Sequence, residues 1–254
     1  MQAAKTTTES LRAAAIAWRR AQDALVCELV QPWAHGSALL TPSAPNFWDA
    51  NFVRVEGPYE APPQQLEREA DELLADFRHR KLVIEHEATG ARLRPYFAAA
   101  GWIADRNAVM RRTGPGRPHA DVEEVELRET HALRIEWYLD YDPDPEVQRA
   151  VAEAQDRVSA KRGMRAFVVR GDSGAPVGFT TLAVGADAVE IDQLYVTPDA
   201  RSGGIGTRLV EAALAAGGRD TAWVIADDEG RARALYERLG FRTACRLHEF
   251  LRQP

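Results

Sequence analysis

Three glycines in four positions, Gly203-Gly204-Ile205-Gly206, separate an apolar strand-like run, Val189–Val196, from Leu209, Val210, Ala213 and Leu214, which with Ile205 recur at helical spacing. Strand, glycine turn and amphipathic helix in that order make a unit of an α/β layer. Successive main-chain N–H groups at the start of such a helix, together with its dipole, favour an anion. Gly203, Gly204 and Gly206 allow close backbone approach and positive φ, and Arg201 adds a charge. A P-loop requires Lys-Ser or Lys-Thr after its last glycine, whereas Thr207-Arg208 follows here. A dinucleotide fingerprint starts directly after its strand, whereas seven residues separate Val196 from Gly204. The turn is therefore a wider one.

The pattern around this unit predicts a strand over Glu124–Arg128, a helix through Leu133–Leu139 and a second helix opening at Asp144-Pro145-Glu146. Strands at Arg165–Arg170 and Pro176–Val184 flank the turn Gly171-Asp172-Ser173-Gly174. A strand at Ala222–Ile225, a helix at Gly230–Leu239 and a final strand pair from Phe241 follow. The expected order, β-α-α-β-β-β-α-β-α-β, is a mixed sheet with helices on both faces. Before it, Arg112–His119 has linker composition, so the chain divides into residues 1–111, a linker at 112–120, and 121–254. In the first part, Glu9–Leu25 reads as a helix, followed by strand-like pieces at Leu25–Val30, Ser37–Thr41 and Phe47–Val55. Leu66, Ala70, Leu73, Leu74 and Phe77 mark an amphipathic helix, then come a short strand at Leu82–Ile84 and a helix ending at Gly101.

The two parts share a pattern. Leu93–Trp102 and Ala232–Phe241 each carry a helix end, a glycine and a large aromatic, with the glycines 139 positions apart (240 less 101). Each follows a short strand containing Val-Ile and an acid-containing loop, which points to a duplicated fold. The copies differ at the expected anion loop. Gly57-Pro58-Tyr59-Glu60-Ala61-Pro62-Pro63 lacks paired glycines, and its prolines remove amide donors.

A net charge of −6 argues against general binding to nucleic acid or anionic membrane and is compatible with a cationic small molecule. Two cysteines, Cys27 and Cys245, provide neither a disulfide framework nor a zinc site and read as buried small hydrophobes. The six histidines are scattered without ligand spacing, so no metal is expected. With neither a signal peptide nor a membrane-length apolar run, a cytoplasmic location is expected.

Leu194-Tyr195-Val196-x-Pro198-x-x-Arg201-x-x-Gly204-x-Gly206-x-x-Leu209 resembles the acetyl-CoA-binding motif of the GNAT superfamily of N-acetyltransferases, Arg/Gln-x-x-Gly-x-Gly/Ala. Ala232-Arg233-Ala234-Leu235-Tyr236-x-x-x-Gly240-Phe241 resembles a second motif of that family, and the first part resembles a degenerate copy, as in tandem proteins such as mycothiol synthase. The resemblance implies a GNAT-type α/β fold with acetyl-CoA as co-substrate. Arg201 would add its charge beside the pyrophosphate, held by the amides of Ser202, Gly203, Gly204, Ile205, Gly206 and Thr207. Leu194, Tyr195 and Val196 would pair with the pantetheine arm where two strands splay apart. Tyr236 sits at the position that in many relatives protonates the departing thiolate. The family often has an Asn that contacts the pantetheine where this chain has Glu229, so that contact is not carried over.

Amine attack on a thioester needs a proton acceptor. Glu190, placed like the base of the histone-acetylating members, and Asp192, two residues on, are both candidates. The acids of Asp140–Glu146, beside Trp137, Tyr138 and Tyr141, would suit a cationic amine, although a solvated helix start explains them as well. The expected function is transfer of acetyl to a primary amine of a small molecule or peptide in a ternary complex, with the first part shaping the acceptor cleft. The alternative is a CoA-binding sensor or interaction module without turnover.

Overall fold

The computed structural model describes residues 2–139 and 145–254. Its first elements are α1 (Gln2–Val26), β1 (Leu29–Trp33), β2 (Gly36–Leu40), β3 (Phe52–Val55), α2 (Pro63–Leu73), β4 (Arg80–Ile84), α3 (Glu87–Ala99) and β5 (Ile103–Thr113). They are followed by β6 (Glu123–Val125), α4 (His131–Tyr138), α5 (Pro145–Ala160), β7 (Arg165–Arg170), β8 (Pro176–Val184) and β9 (Ala188–Val196). The last are α6 (Ile205–Gly217), β10 (Thr221–Asp227), α7 (Arg231–Arg238) and β11 (Arg242–Arg252). From β6 onward the order matches the pattern-based one. Four segments differ from the expected elements. Trp48–Ala50, expected inside a strand over Phe47–Val55, forms a 3-10 turn before β3, where the Asn51 side chain ties Thr41, Ala44 and Phe47, and the expected strand Glu124–Arg128 gives way at Leu127 to a second 3-10 turn, Leu127–Thr130. Leu25 and Val26 complete α1 instead of opening a strand, because a short apolar run has no period that separates helix from strand. The expected final strand pair is one long strand, β11.

The chain forms two compact units. Unit 1 comprises Met1–Val109, Ala226–Arg233 and Thr243–Pro254, and unit 2 comprises Met110–Ile225 and Ala234–Arg242. In unit 1, β1, β2 and β3 run antiparallel, β3 pairs in parallel with β4, and β11 pairs antiparallel with β4. The C-terminal strand thus belongs to the unit formed mainly by the first half of the sequence. Its core joins Leu66, Ala70 and Leu74 of the α2 region to Val53, Leu82, Phe97 and Phe250, the amphipathic stripe read from the sequence. In unit 2, β6, β7, β8 and β9 are antiparallel neighbours, and β9 pairs in parallel with β10. Stretch Arg112–Arg117 lies along α6: Arg112 pairs with Glu211 at 2.9 Å, and the Arg117 amide donates to Glu211 Oε2 at 2.9 Å. Cys245 is buried and Cys27 half-buried, both thiols raised to about 11 chiefly by burial.

The repeat has a geometric counterpart in each unit. Gly101 and Gly240 have φ of 82° and 88°, left-handed caps that glycine adopts without strain. Trp102 N donates to Phe97 O at 3.0 Å, and Phe241 N donates to Tyr236 O at 3.0 Å. The paired rings meet edge-on, Phe97 with Trp102 at 4.8 Å and Tyr236 with Phe241 at 5.6 Å. Phe97 therefore occupies in unit 1 the place Tyr236 holds in unit 2.

Unit 1 buries two histidines, His79 and His248, at 1% and 2% exposure. Burial is the main cause that lowers both to about 4. Below about pH 6.5 the unfolded chain takes protons that the folded one refuses. Their contribution is therefore complete above that pH and is lost as pH falls toward 4. Urea titrations should show unit 1 losing up to about 3 kcal/mol per histidine between those limits, and His248→Leu should flatten the slope.

Candidate coenzyme and active site

The site begins with an irregularity in β9. Opposite β8, Gln193 pairs with Thr181 but Ile191 with Leu182, so Asp192 is an extra residue, a β-bulge. The parallel ladder with β10 covers only Ala188 to Ile191. From Asp192 onward β9 is bonded on one side alone. The bulge shifts the side-chain alternation by one: Val189 packs on α6 at Gly217, whereas Leu194 reaches the same helix at Gly206. Two hydroxyls satisfy the interrupted backbone, Thr180 Oγ1 donating to Gln193 O at 2.6 Å and Gln193 N donating to Thr181 Oγ1 at 3.1 Å.

Which groups face the open edge follows from the register. Thr197 N donates to Val177 O, so in an antiparallel ladder Tyr195 also bonds toward β8, while Leu194 and Val196 point their N–H and C=O away from it. Arg201 Nε takes the Val196 carbonyl at 3.0 Å. The Leu194 N–H and C=O and the Val196 N–H are left directed at the edge from which β10 has parted.

After a turn at Pro198–Ala200, Ser202 and Gly204 both take left-handed φ, 70° and 75°. Gly204 caps α6, whose first internal bond runs from Arg208 N to Gly204 O at 3.1 Å. Consequently none of the amides of residues 202–207 donates to an acceptor among the described residues. Arg208 fixes the loop by donating Nη1 to Gly203 O at 2.8 Å and Nε to Asp121 at 2.7 Å. Gly203 has no positive φ, and a Cβ there would meet nothing nearer than Ala200 O at 3.7 Å. The protein's own packing does not demand glycine at that position. A run of free amides with space beside it suits a diphosphate.

Leu235 touches the Gly206 position, which sets Ala234–Arg238 of α7 against the first turn of α6. Tyr236 is 4% exposed, and its phenol is pushed above the ordinary range by burial first and by the Asp192 charge second. It stays protonated at neutral pH, the state in which a phenol donates a proton.

Both candidate carboxylates meet one cation. Arg162, in the turn after α5, places Nη2 3.2 Å from Glu190 Oε2 and Nη1 2.8 Å from Asp192 Oδ1. Sequence reasoning missed Arg162, Thr180 and Thr181, because a lone arginine in a turn and two strand threonines carry no periodic signal. Beside the carboxylates lies an aromatic stack: Tyr195 against Trp137 at 5.9 Å, Trp137 against Tyr138 at 5.2 Å, and Arg201 over the Tyr195 ring at 5.8 Å. Tyr138 Oη accepts from the Gln155 and Gln193 side-chain amides, and Tyr195 Oη donates to Glu136 at 2.8 Å. Asp140, Asp142 and Asp144, among the acids expected to suit a cationic amine, lie outside the described residues, and Glu146 pairs with Arg149 on α5.

Glu229 is engaged by Arg94 at 2.9 Å within unit 1. Its neighbour Asp228, wholly buried, faces Arg106, Arg233 and Arg246. Burial alone would raise that carboxyl, but the three guanidinium groups outweigh it and hold it low. Among the described residues, unit 1 has no comparable opening. β3 and β4 stay paired to Val55 and Ile84, and Glu85 N donates to Val55 O at 3.0 Å. Tyr59 is buried in the loop, its amide donating to Thr89 and its hydroxyl to Glu69. Among the described residues no group of three or more potential metal ligands occurs, and no helix is long and apolar enough to cross a membrane.

Residues 129–241 match the family model described as the acetyltransferase (GNAT) family. No curated protein matches the chain in sequence. Among solved structures, a functionally unknown conserved protein from Staphylococcus epidermidis is similar at TM-score 0.70 and 13% identity, over 90% of this chain and 95% of that one. A GCN5-related N-acetyltransferase from Kribbella flavida is similar at TM-score 0.59 and 16% identity, over 92% and 93%. A tandem GNAT protein from the clavulanic acid biosynthesis pathway is similar at 0.53 and 16%, over 87% and 80%. The chain has the GNAT-superfamily fold in tandem, with one half that matches the family model and a divergent N-terminal half.

The threonines that satisfy the bulge supply a direct check on the opened strand. Thr181→Val deprives the Gln193 amide of its acceptor and should lower unit 2 stability by about 1–3 kcal/mol in urea unfolding. Thr181→Ser, which retains the hydroxyl, should lose far less.

Proposed function

We propose that unit 2 is an acetyl-CoA-dependent N-acetyltransferase that acts on a primary amine of a small molecule or peptide by direct attack in a ternary complex. One observation carries this reading: the free amides of residues 202–207 stand at the end of a strand whose Leu194 and Val196 groups are open to a partner. Ser202, Gly203, Gly204, Ile205, Gly206 and Thr207 would hold the pyrophosphate, with Arg201 beside it. Leu194 and Val196, flanking Tyr195, would bond the amides of the pantetheine arm as an added strand. The coenzyme supplies an activated acyl thioester, and the other roles fall to the chain.

Tyr236 is the proposed proton donor to the leaving thiolate. A thiol has a pKa of about 8.5 against about 10 for an unperturbed phenol, so an elevated phenol donates only if the sulfur carries full charge as it leaves. Glu190 and Asp192 are the acids available to receive the amine's proton. The aromatic stack of Trp137, Tyr138 and Tyr195, with Glu136 at its side, supports a cationic acceptor. A second reading, a CoA-binding module without turnover, draws its support from the Arg162 clamp, which engages both of the carboxylates that an amine would need as a base.

Thiol release measured over polyamines, aminoglycosides, amino acids and peptide N-termini separates the two readings. Turnover with any of them supports the enzyme, whereas acetyl-CoA binding without turnover favours the module. Tyr236→Phe should lower kcat by about 10²-fold or more while leaving acetyl-CoA affinity within about twofold. Gly203→Val should leave folding stability within about 0.5 kcal/mol, since the protein leaves room for the side chain, yet weaken acetyl-CoA binding at least about tenfold.

A further inference from the structure

The two carboxylates that meet Arg162 are not equivalent. The Glu190 side chain is 2% exposed and that of Asp192 is 25% exposed, with Arg162 between them at 10%. Glu190 lies on the regular part of β9, where β8 and β10 flank it on both sides. Asp192 is the bulged residue at the point where β10 leaves, and its charge acts on Tyr236 from α7. The geometry points to a division of labour that rests on the acetyltransferase reading: Asp192 is the proton acceptor, while Arg162 and Glu190 are positioning residues that hold it.

Glu190 engages Arg162 from the buried side and Asp192 engages it from the more exposed one. The two arms of the guanidinium reach the two carboxylates separately, Nη2 to Glu190 and Nη1 to Asp192, a planar fork that fixes the Asp192 carboxylate in direction as well as position. Lysine, a single point charge, could only approximate this. The arrangement also overcomes the misalignment of the bulge, since β-strand alternation alone would not aim residues 190 and 192 at one partner across an inserted residue.

In the reaction, the ammonium first gives a proton to Asp192, which releases it to solvent; the nitrogen's lone pair then bonds to the acyl carbon, and Asp192 takes the second proton that the nitrogen loses. The carbon–sulfur bond breaks with its electron pair on sulfur, and Tyr236 donates its hydroxyl proton there. The balance closes when the proton on Asp192 passes through solvent to the phenolate.

The test is a double-mutant cycle in the full chain, read with the amine of the panel above that releases thiol fastest. Asp192→Asn should reduce kcat at least about 10²-fold with acetyl-CoA affinity unchanged. Arg162→Met should reduce kcat about tenfold or more, and Arg162→Lys should recover part of that loss. Because Arg162 acts through Asp192, adding Arg162→Met to Asp192→Asn should cost less than about threefold more. Hydroxylamine, uncharged at neutral pH, should be acetylated by Asp192→Asn far closer to the wild-type rate. Melting temperatures give a readout apart from turnover: the shifts caused by Arg162→Met and Asp192→Asn should be non-additive. Glu190→Gln should lower the melting temperature more than Asp192→Asn and kcat less. Wild-type turnover with an Asp192→Asn rate within about threefold of wild type overturns the assignment, as does a further tenfold loss on adding Arg162→Met to it. Absence of wild-type turnover with every amine overturns the acetyltransferase reading itself, and the assignment falls with it.

Discussion

The parting of β10 from β9 at Asp192 is the constraint on which the site depends. A parallel pair that stayed bonded along its length would bury the backbone of Leu194 and Val196 in the sheet. Instead the ladder stops at Ile191, a bulge takes up the extra residue, and the hydroxyls of Thr180 and Thr181 satisfy what the bulge leaves open. The same shift of one residue turns Leu194 onto α6, where it meets the Gly206 position and helps set the first turn of that helix. Strand edge and amide loop are thus products of one local event.

The tandem fold contains its own control. Unit 1 repeats the β-α-β step, the left-handed glycine and the aromatic pair, but β3 and β4 remain zipped and Tyr59 fills the loop. Phe97 stands where unit 2 has Tyr236, so that copy lacks the hydroxyl as well as the cradle. The shared features are those that close a helix and seed a core, whereas the differing ones are those the proposed chemistry needs.

Much of this architecture was legible in the sequence because its signals are local. Glycine turns, helix caps and apolar periods place β7, β8, β9 and α6 within a residue or two, and the spacing of Arg201 and the glycines sets the loop apart from other phosphate cradles. Long-range choices left no such trace. Nothing in Thr243–Pro254 says that this stretch pairs with β4 and so belongs to unit 1, far from it in sequence. Leu25 and Val26 are apolar in either a helix or a strand, and α1 claims them through tertiary context. Asp192 reads as an ordinary alternating residue, since a bulge is a property of two strands in register. Arg162 is invisible until folding brings its turn beside β9.

Hydrogen–deuterium exchange of the full chain with and without CoA reads the amide loop and the strand edge together. The coenzyme should slow exchange at the amides of residues 202–207 and at Leu194 and Val196, with no comparable change at Glu56–Pro62 of unit 1. Binding of CoA with those amides still exchanging freely, or protection that centres on the unit 1 loop, would contradict the proposed coenzyme site.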